Sequence, residues 1–568
     1  VNQRLRAGIG GVIKQRFSDF IVHEIRKDGS MVKLTDLSIP EFKVVAQPEV
    51  ATSSKAALTV LLGEEDIMKI QEVIDGNNTS VVVAGNWDKE IRTSIHRGLR
   101  EWSGNLRSET DSSGSIVVQL AAKGGNRKRE RRLPDEKCYT LFTLHKENRE
   151  TSDCLYELSK YLHVDTSRFG FAGTKDKRGV TVQDVTAFRL SPSKISSATV
   201  RMRAVQAGNF RECPTELRLG DLQGNRFDIV LRNVTASDSV ITDACDSLFQ
   251  QGFLNYFGLQ RFGTGATSTA EMGKYYLQGR QEWMIASLLQ KQYLSLQQRE
   301  NEVVPMSQEL CDEICTFLCR SDGSAQRLME HLPKVGYHNE FMMLRHLTRV
   351  SPNFGKSWAH EAVEQIPRQI RLLYLHAYQS YLWNKSVSAR WMQTEQEPKV
   401  IPGDLVMENP ADISQGQPVL LETMEQCARY KPSQVVLPLP GNKIRYPSHA
   451  GTDKLKSLLD ADGFVLESFP SPESGVKIKL SGDYRPMLVV PEHGQWQQCH
   501  YDQAEDPLSL TDTDQLSGVE LPSPQGQMTA VKLSFTLPSA AYATMALREI
   551  TRTSTSVEHQ KKMNTTEG

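Results

Sequence analysis

No run of about eighteen consecutive apolar residues occurs in this 568-residue chain and its mean hydropathy is negative, so a transmembrane helix is excluded. Charge of one sign is missing too: 67 Lys and Arg face 68 Asp and Glu, for a formal net charge of -1. A globally basic coat for nucleic acid is thereby excluded, and any polyanion has to be met by a local patch. Cysteine is sparse, nine residues in all, an odd number scattered along a long chain. That fits reduced thiols rather than a disulfide framework. The start at Val1 carries no basic-then-apolar leader. It reads as an intracellular chain, nuclear or cytoplasmic, with residues missing upstream.

Nucleotide loops and metal sets are absent from the pattern as well. Gly173-Thr174-Lys175 lacks the spacing between glycines and the Lys-Ser/Thr end of a phosphate cradle, and Gly258, Gly263 and Gly265 form no dinucleotide fingerprint. Cys311, Cys315 and Cys319 fall along one face of a helix. Without a further ligand at finger-type spacing they read as small apolar residues on a buried face beside Ile314 and Leu318.

What is present is a globular composition, 39% apolar, 7% aromatic and 24% charged. At ~150 residues per domain the length corresponds to roughly three to four domain equivalents. Short apolar runs from Gly8 to Ile25 predict strands joined by tight loops. A helix near Glu64 to Ile74 and a strand from Ser80 to Ala84 belong to a stretch that ends in the basic run Arg127 to Arg132. That run is equally a solvated edge, an RNA-backbone contact or an import signal. Tyr139 to Leu144 predicts a strand, Thr151-Ser152-Asp153 a helix cap, Phe169 to Ala172 and Thr181 to Leu190 further strands. Phe227, Ile229 and Leu231 alternate with Arg226, Asp228, Val230 and Arg232 as in a half-buried strand, and Ser237 caps the following helix. The pattern is helical from about 270 to 349 and again from Tyr374 to Ser388. His500 to Gln527 reads as an acidic linker; Val531, Leu533 and Phe535 then form a strand, and Ala541 to Ile550 a helix.

Two segments carry chemistry. In Gly173-Thr174-Lys175-Asp176-Lys177-Arg178-Gly179-Val180-Thr181-Val182-Gln183 one carboxylate lies among three cations on a glycine-bounded loop. Lys175, Lys177 and Arg178 are expected to hold Asp176 ionised and to receive phosphates, although a solvated charged turn has the same composition. Asn255-Tyr256-Phe257-Gly258-Leu259-Gln260-Arg261-Phe262-Gly263-Thr264 packs rings, amides and one Arg into a glycine-flanked stretch. Such a set suits an unstacked nucleobase, and it equally suits a core strand with one exposed Arg. His23, His145 and His376 are read as structural, because neither Cys nor His nearby completes a metal set.

Together with Arg16-Phe17-Ser18-Asp19-Phe20-Ile21-Val22-His23-Glu24, these segments resemble the signature motifs of the TruD family of RNA pseudouridine synthases. Further similarity runs through Leu219 to Phe227, His376-Ala377-Tyr378-Gln379-Ser380-Tyr381 and Leu537 to Thr544. It covers nearly the whole chain outside about 35–137 and 270–350. The resemblance implies a cofactor-free isomerase that breaks the N1 glycosidic bond of a uridine in RNA, turns the base and rejoins it through C5. It places the family's aspartate on Asp176, which would attack C1′ or promote a glycal intermediate. It places substrate contacts on Phe20, Asn255, Phe257 and Tyr542, with Phe257 and Tyr542 sandwiching the flipped base and Asn255 bonding its edge or holding the aspartate loop. Lys14, Glu24, Lys175, Lys177, Arg178, Gln183 and Arg261 take supporting or RNA-contacting roles. Gly179 departs from the family's usual Ala and is expected to loosen the loop.

The fold implied is α+β, a mixed β-sheet pseudouridine synthase fold with an inserted α/β TRUD domain and a small extra insertion. The catalytic domain is expected at 1–34 and 138–251 with a return at 476–550, a eukaryotic-type insertion at 35–137, the TRUD domain at 252–475 and a flexible tail at 551–568. The expected partners are RNA, tRNA and also mRNA, with no membrane, no metal and no obligatory protein partner, in a monomer. The rival readings are a non-catalytic RNA-binding protein or tRNA chaperone on the same fold, and an RNA glycosidase releasing uracil.

Overall fold

A computed structural model describes residues 8–40, 49–85, 87–103, 106–111, 114–120, 139–263, 267–299, 304–333, 337–350, 357–409, 417–470, 480–522 and 525–553. The basic run at 127–132 lies outside these. The chain forms two compact units, one made of Val1–Ile39 and Tyr139–Gly568, the other of Pro40–Cys138. The smaller unit is a three-stranded antiparallel sheet, in the order Ser80–Val83, Ile116–Leu120, Leu106–Thr110. The helices Glu49–Leu62, Glu64–Ile74 and Lys89–Trp102 share its core through Leu58, Ile70, Val73, Ile95 and Leu99.

The larger unit is built on a nine-stranded mixed sheet. Its main path runs Glu492–Tyr501, Met528–Pro538, Gly224–Val234, Phe20–Ile25, Val180–Phe188, Tyr139–Glu147, Val205–Cys213. Gly10–Ile13 pairs with Gly224–Val234, and Phe169–Phe171 pairs with Val180–Phe188. One pairing is parallel, Phe20–Ile25 with Val180–Phe188 through Ile21 and Val180; it makes the sheet mixed, as expected. That register sets the loop before Val180 beside the start of the Phe20 strand, which is where the candidate chemistry lies.

The alternation read from the sequence is what builds the core on one face. Phe227, Ile229 and Leu231 stand opposite Phe535, Leu533 and Val531, and Phe227 stacks on Phe535 at 5.7 Å between centroids. The helices Asp238–Gln251 and Ala543–Thr551 cover them with Ile241, Leu248, Leu547 and Ile550. Burying each such side chain contributes ~1.5–3 kcal/mol. The opposite face carries His23 and His145. His23 Nε2 meets Asp512 Oδ1 at 2.9 Å, and burial pulls the His145 imidazole down to about 4. His376 sits on an exposed helix face with Nδ1 2.9 Å from Gln379 Oε1.

The rest of this unit is largely helical. It is followed by a small antiparallel sheet in the order Val419–Leu420, Leu405–Val406, Val435–Leu439, Asp483–Pro486. The 26-residue helix Arg368–Gln393 runs along it and is held by a fully buried pair between Arg390 and Asp404, Nη2 to Oδ2 2.6 Å. Cys311 is buried in the helical core with Ile314 and Leu318. Two local expectations change. Thr151 lies inside the helix Thr151–Leu162, where its hydroxyl donates to Gln183 Oε1 at 2.8 Å instead of capping. The stretch read as a linker holds the end of the strand Glu492–Tyr501 and the short helix Asp512–Leu516, whose Asp512 also accepts the Leu34 N–H at 2.6 Å.

Arg232, placed by alternation on the polar side of its strand, is fully buried. Its Nε and Nη2 donate to the two Asp19 oxygens, each at 2.9 Å. Asp19 also accepts the Arg16 N–H at 2.8 Å and so fixes the turn that leads into Phe20. Removing one partner of a buried pair strands the other charge. Asp19→Asn is therefore expected to lower the unfolding free energy by roughly 3–5 kcal/mol in urea titration.

Candidate active site

Gly10–Ile13 ends at Lys14, whose φ of 58° turns the chain back toward the sheet. This points the ammonium at two targets: Nζ lies 3.1 Å from Asp176 Oδ2 and 3.6 Å from the centroid of the Phe20 ring. Charge attraction and the ring's negative face both hold it there. The Asp176 side chain is 38% exposed, enough to meet a ligand, while Lys14 is 15% exposed.

The loop's own cations are disposed otherwise than expected. Lys175 turns inward, 6% exposed, and its Nζ pairs with Glu24 Oε2 at 2.7 Å. Burial holds the Glu24 carboxyl above the usual carboxylate range, against the pull of Lys175. Arg178 Nη2 donates to the Lys14 carbonyl at 2.8 Å and so braces the residue that faces Asp176. Lys177 is exposed. Gln183 is buried and donates to the Gly173 carbonyl at 3.0 Å, tying the loop's start to the strand. Glu24, Lys175 and Gln183 are thus buried supports of the loop. The cation that faces Asp176 is Lys14.

Gly179 closes the loop at a φ of 151°. A Cβ there would stand 2.6 Å from the Phe20 carbonyl oxygen. Gly at this position therefore permits close approach of loop and strand rather than loosening the loop. Phe20 itself is fully buried, edge-on to Phe227 at 6.0 Å. With Lys14 over its ring, Phe20 is a platform for the ammonium that faces Asp176.

A second group of contacts surrounds Phe257. The short strand Phe253–Leu254 pairs with Leu488–Val489, and Asn255 N–H donates to the Met487 carbonyl at 2.9 Å. Asn255 is buried and both ends of its amide are engaged. Oδ1 accepts from Arg485 Nη2 at 2.8 Å, and Nδ2 donates to the Pro486 carbonyl at 3.2 Å. These bonds hold the segment in place. Arg485 donates twice more to the Asn255 carbonyl, at 3.0 and 2.8 Å, and its guanidinium lies 4.0 Å from the Phe257 ring. Burial pulls that guanidinium down to about 10, still charged at neutral pH. Phe257 is half-buried and meets Trp383 at 5.6 Å and Tyr542 at 6.2 Å, both edge to face. Its backbone is clamped by Asn384, which accepts from Phe257 N at 2.9 Å and donates to its carbonyl at 3.1 Å. Arg261 reaches Ser380 Oγ at 3.4 Å, 5.9 Å from the Phe257 ring.

At this separation and tilt Phe257 and Tyr542 touch each other, so a base sandwiched between them requires one ring to swing away. Phe20 belongs to the hydrophobic cluster against which Tyr542 packs, which links the two groups of contacts. Arg485, Trp383 and Asn384 carry the aromatic group and were not singled out in the sequence. Trp383 and Asn384 follow the motif His376–Tyr381 on the same helix, a signal within reach. Arg485, between Tyr484 and Pro486, offers none.

Comparison with known proteins follows this geometry. The family model described as TruD, tRNA pseudouridine synthase D, matches residues 104–550. The pseudouridylate synthase 7 homolog of Mus musculus is 34% identical over 573 residues, covering 98% of this chain and 81% of the relative. The multisubstrate pseudouridine synthase 7 of Schizosaccharomyces pombe is 32% identical over 631 residues, covering 98% and 89%. Among solved structures, a protein assigned as tRNA pseudouridine synthase D (TruD) from Methanosarcina mazei superposes with a TM-score of 0.53 over 97% of this chain and 98% of its own. At 20% identity that likeness speaks to the fold alone.

Proposed function

The chain belongs to the TruD family and is an RNA pseudouridine synthase, and from that premise we propose that Asp176 acts on the ribose of a uridine in tRNA or mRNA without a cofactor. The reaction breaks N1–C1′ and forms C5–C1′. The C5 proton leaves, N1 gains one, and the product is an isomer. A carboxylate serves this either by attacking C1′ or by promoting a glycal, and both roles need it anionic and reachable. The observation that carries the reading is the partly exposed Asp176 carboxylate fixed 3.1 Å from the Lys14 ammonium, on a loop braced by Arg178, Gln183 and Glu24–Lys175.

The target base is taken out of its stack and received by the half-buried ring of Phe257, with Tyr542 moving aside to close on its other face. Lys177 and the half-exposed Arg178 and Arg261 supply positive charge for the phosphates of a near-neutral protein. The enzyme works in the nucleus or cytoplasm on this reading.

C–C bond formation expels the C5 hydrogen, so tritium release from RNA labelled at uridine C5 reports turnover. Asp176→Asn is expected to lower that release by roughly 10²–10⁴-fold while RNA affinity stays within about threefold, since binding is carried by cations and rings elsewhere. Substantial release by this variant would exclude the assignment, and uracil in the medium would identify a glycosidase instead. Phe257→Ala is expected to cost about ten- to a hundredfold in kcat/KM, from the ~1–3 kcal/mol of a base–aromatic stack. A value within about twofold of wild type would mean that the ring is only core packing.

A further inference from the structure

Lys146 lies in the strand Tyr139–Glu147, opposite Thr181 on one side and Val205 on the other, and has no exposed surface. Among the described residues no carboxylate pairs with it. Its Nζ instead donates to the Arg149 carbonyl at 2.7 Å and the Asp176 carbonyl at 3.1 Å, and lies 3.5 Å from the Lys175 carbonyl. An ammonium has three N–H donors and no acceptor, so three converging carbonyls match it in number. A buried charge with no anion beside it is costly, and a methionine would fill similar space without that cost.

Two of the three acceptors belong to the loop that carries the candidate carboxylate. The other loop anchors act to either side: Gln183 on Gly173, the Thr151 hydroxyl on the Lys175 N–H at 3.3 Å, and Arg178 on Lys14. Among the described residues, Lys146 is the side chain that reaches the backbone carbonyl of Asp176 itself. We propose that Lys146 is a positioning residue for turnover, its buried ammonium clamping the Lys175 and Asp176 carbonyls so that the Asp176 carboxylate stays in register with Lys14. The inference rests on the reading of Asp176 given above and concerns a different side chain.

The ammonium is also titratable within reach. Burial pulls Lys146 down to about 8, with Cys154, Glu150 and Asp176 opposing that shift and Lys175 adding to it. Arg149 borders it through the carbonyl named above, and the Cys154 thiol is pushed up to about 11, so it stays neutral while Lys146 titrates. As pH rises through about 8 the clamp loses its charge and one of its three donors. Turnover therefore falls on the alkaline side, ahead of any titration of the uridine base, which is common to every variant.

The test uses the full chain and C5-tritiated RNA, with kcat and KM followed from about pH 6 to pH 10, and amide exchange measured over residues 173–179. Lys146→Met is expected to lose about a hundredfold in kcat with KM within about twofold, as small misplacements of a reacting group do. Its loop amides should exchange faster while those of the strand Val180–Phe188 do not change. Lys146→Arg, charged at every pH used, should keep kcat within about tenfold and move the alkaline limb up by more than about one unit. A Lys146→Met enzyme with kcat within about threefold of wild type, or with unchanged loop exchange, overturns the proposal. If that variant does not fold, an alkaline limb of Lys146→Arg that coincides with wild type overturns it and an upward shift supports it. Turnover surviving in Asp176→Asn would bring down the reading of Asp176 and with it the role of Lys146 in turnover, whereas unchanged loop exchange in Lys146→Met would bring down the clamp alone.

Discussion

The 3.1 Å contact between Lys14 and Asp176 joins groups 162 residues apart in the chain, and the parallel pairing in the sheet brings the Asp176 loop to the segment that carries Lys14. A carboxylate on a glycine-bounded loop has no position of its own; it takes one from whatever the loop is tied to. Here the ties come from three strands. The parallel pairing of Ile21 with Val180 brings the end of the loop to the start of the Phe20 strand, and Gly179 lets the two backbones approach. The buried Asp19–Arg232 pair fixes the turn that leads into Phe20, and Phe20 gives the Lys14 ammonium a surface to rest on. Stability and site geometry are thus carried by the same buried charges.

Patterns that depend on neighbours in sequence were legible. The alternations at Phe227, Ile229, Leu231 and at Val531, Leu533, Phe535 predicted two strands that pair with each other in the structure, and the helix Glu64–Ile74 has the bounds its spacing gave. The family motifs led to Asp176, Phe257 and Tyr542, all partly exposed. What was not legible depends on partners far along the chain. Nothing local says that Lys175 will be used by Glu24, that Arg232 will be buried against Asp19, or that Asn255 will spend both ends of its amide on Arg485 and Pro486. Composition placed three cations around Asp176; the fold pairs Lys175 with Glu24, sets Arg178 on the Lys14 carbonyl, leaves Lys177 exposed and brings Lys14 to the carboxylate.

The aromatic group follows the same logic with a different currency. Phe257 is held through its backbone by Asn384 and from below by the guanidinium of Arg485, which is itself kept by Asn255. On the proposed reading a ring so fixed loses little freedom on taking a base, which favours binding through preorganisation. Tyr542, at the start of the last helix, touches that ring at its edge, and it is the mobile partner in this account.

The central claim is positional: a carboxylate at Asp176 works because the loop, Lys14 and the sheet set it within a fraction of an ångström. Asp176→Glu keeps the charge and adds one methylene, so it tests position without removing the group. The measurement is the single-turnover rate of tritium release from C5-labelled RNA, with RNA affinity determined in parallel. The account predicts a rate lowered by about a hundredfold or more at affinity within about threefold of wild type. A rate within about threefold of wild type would contradict it.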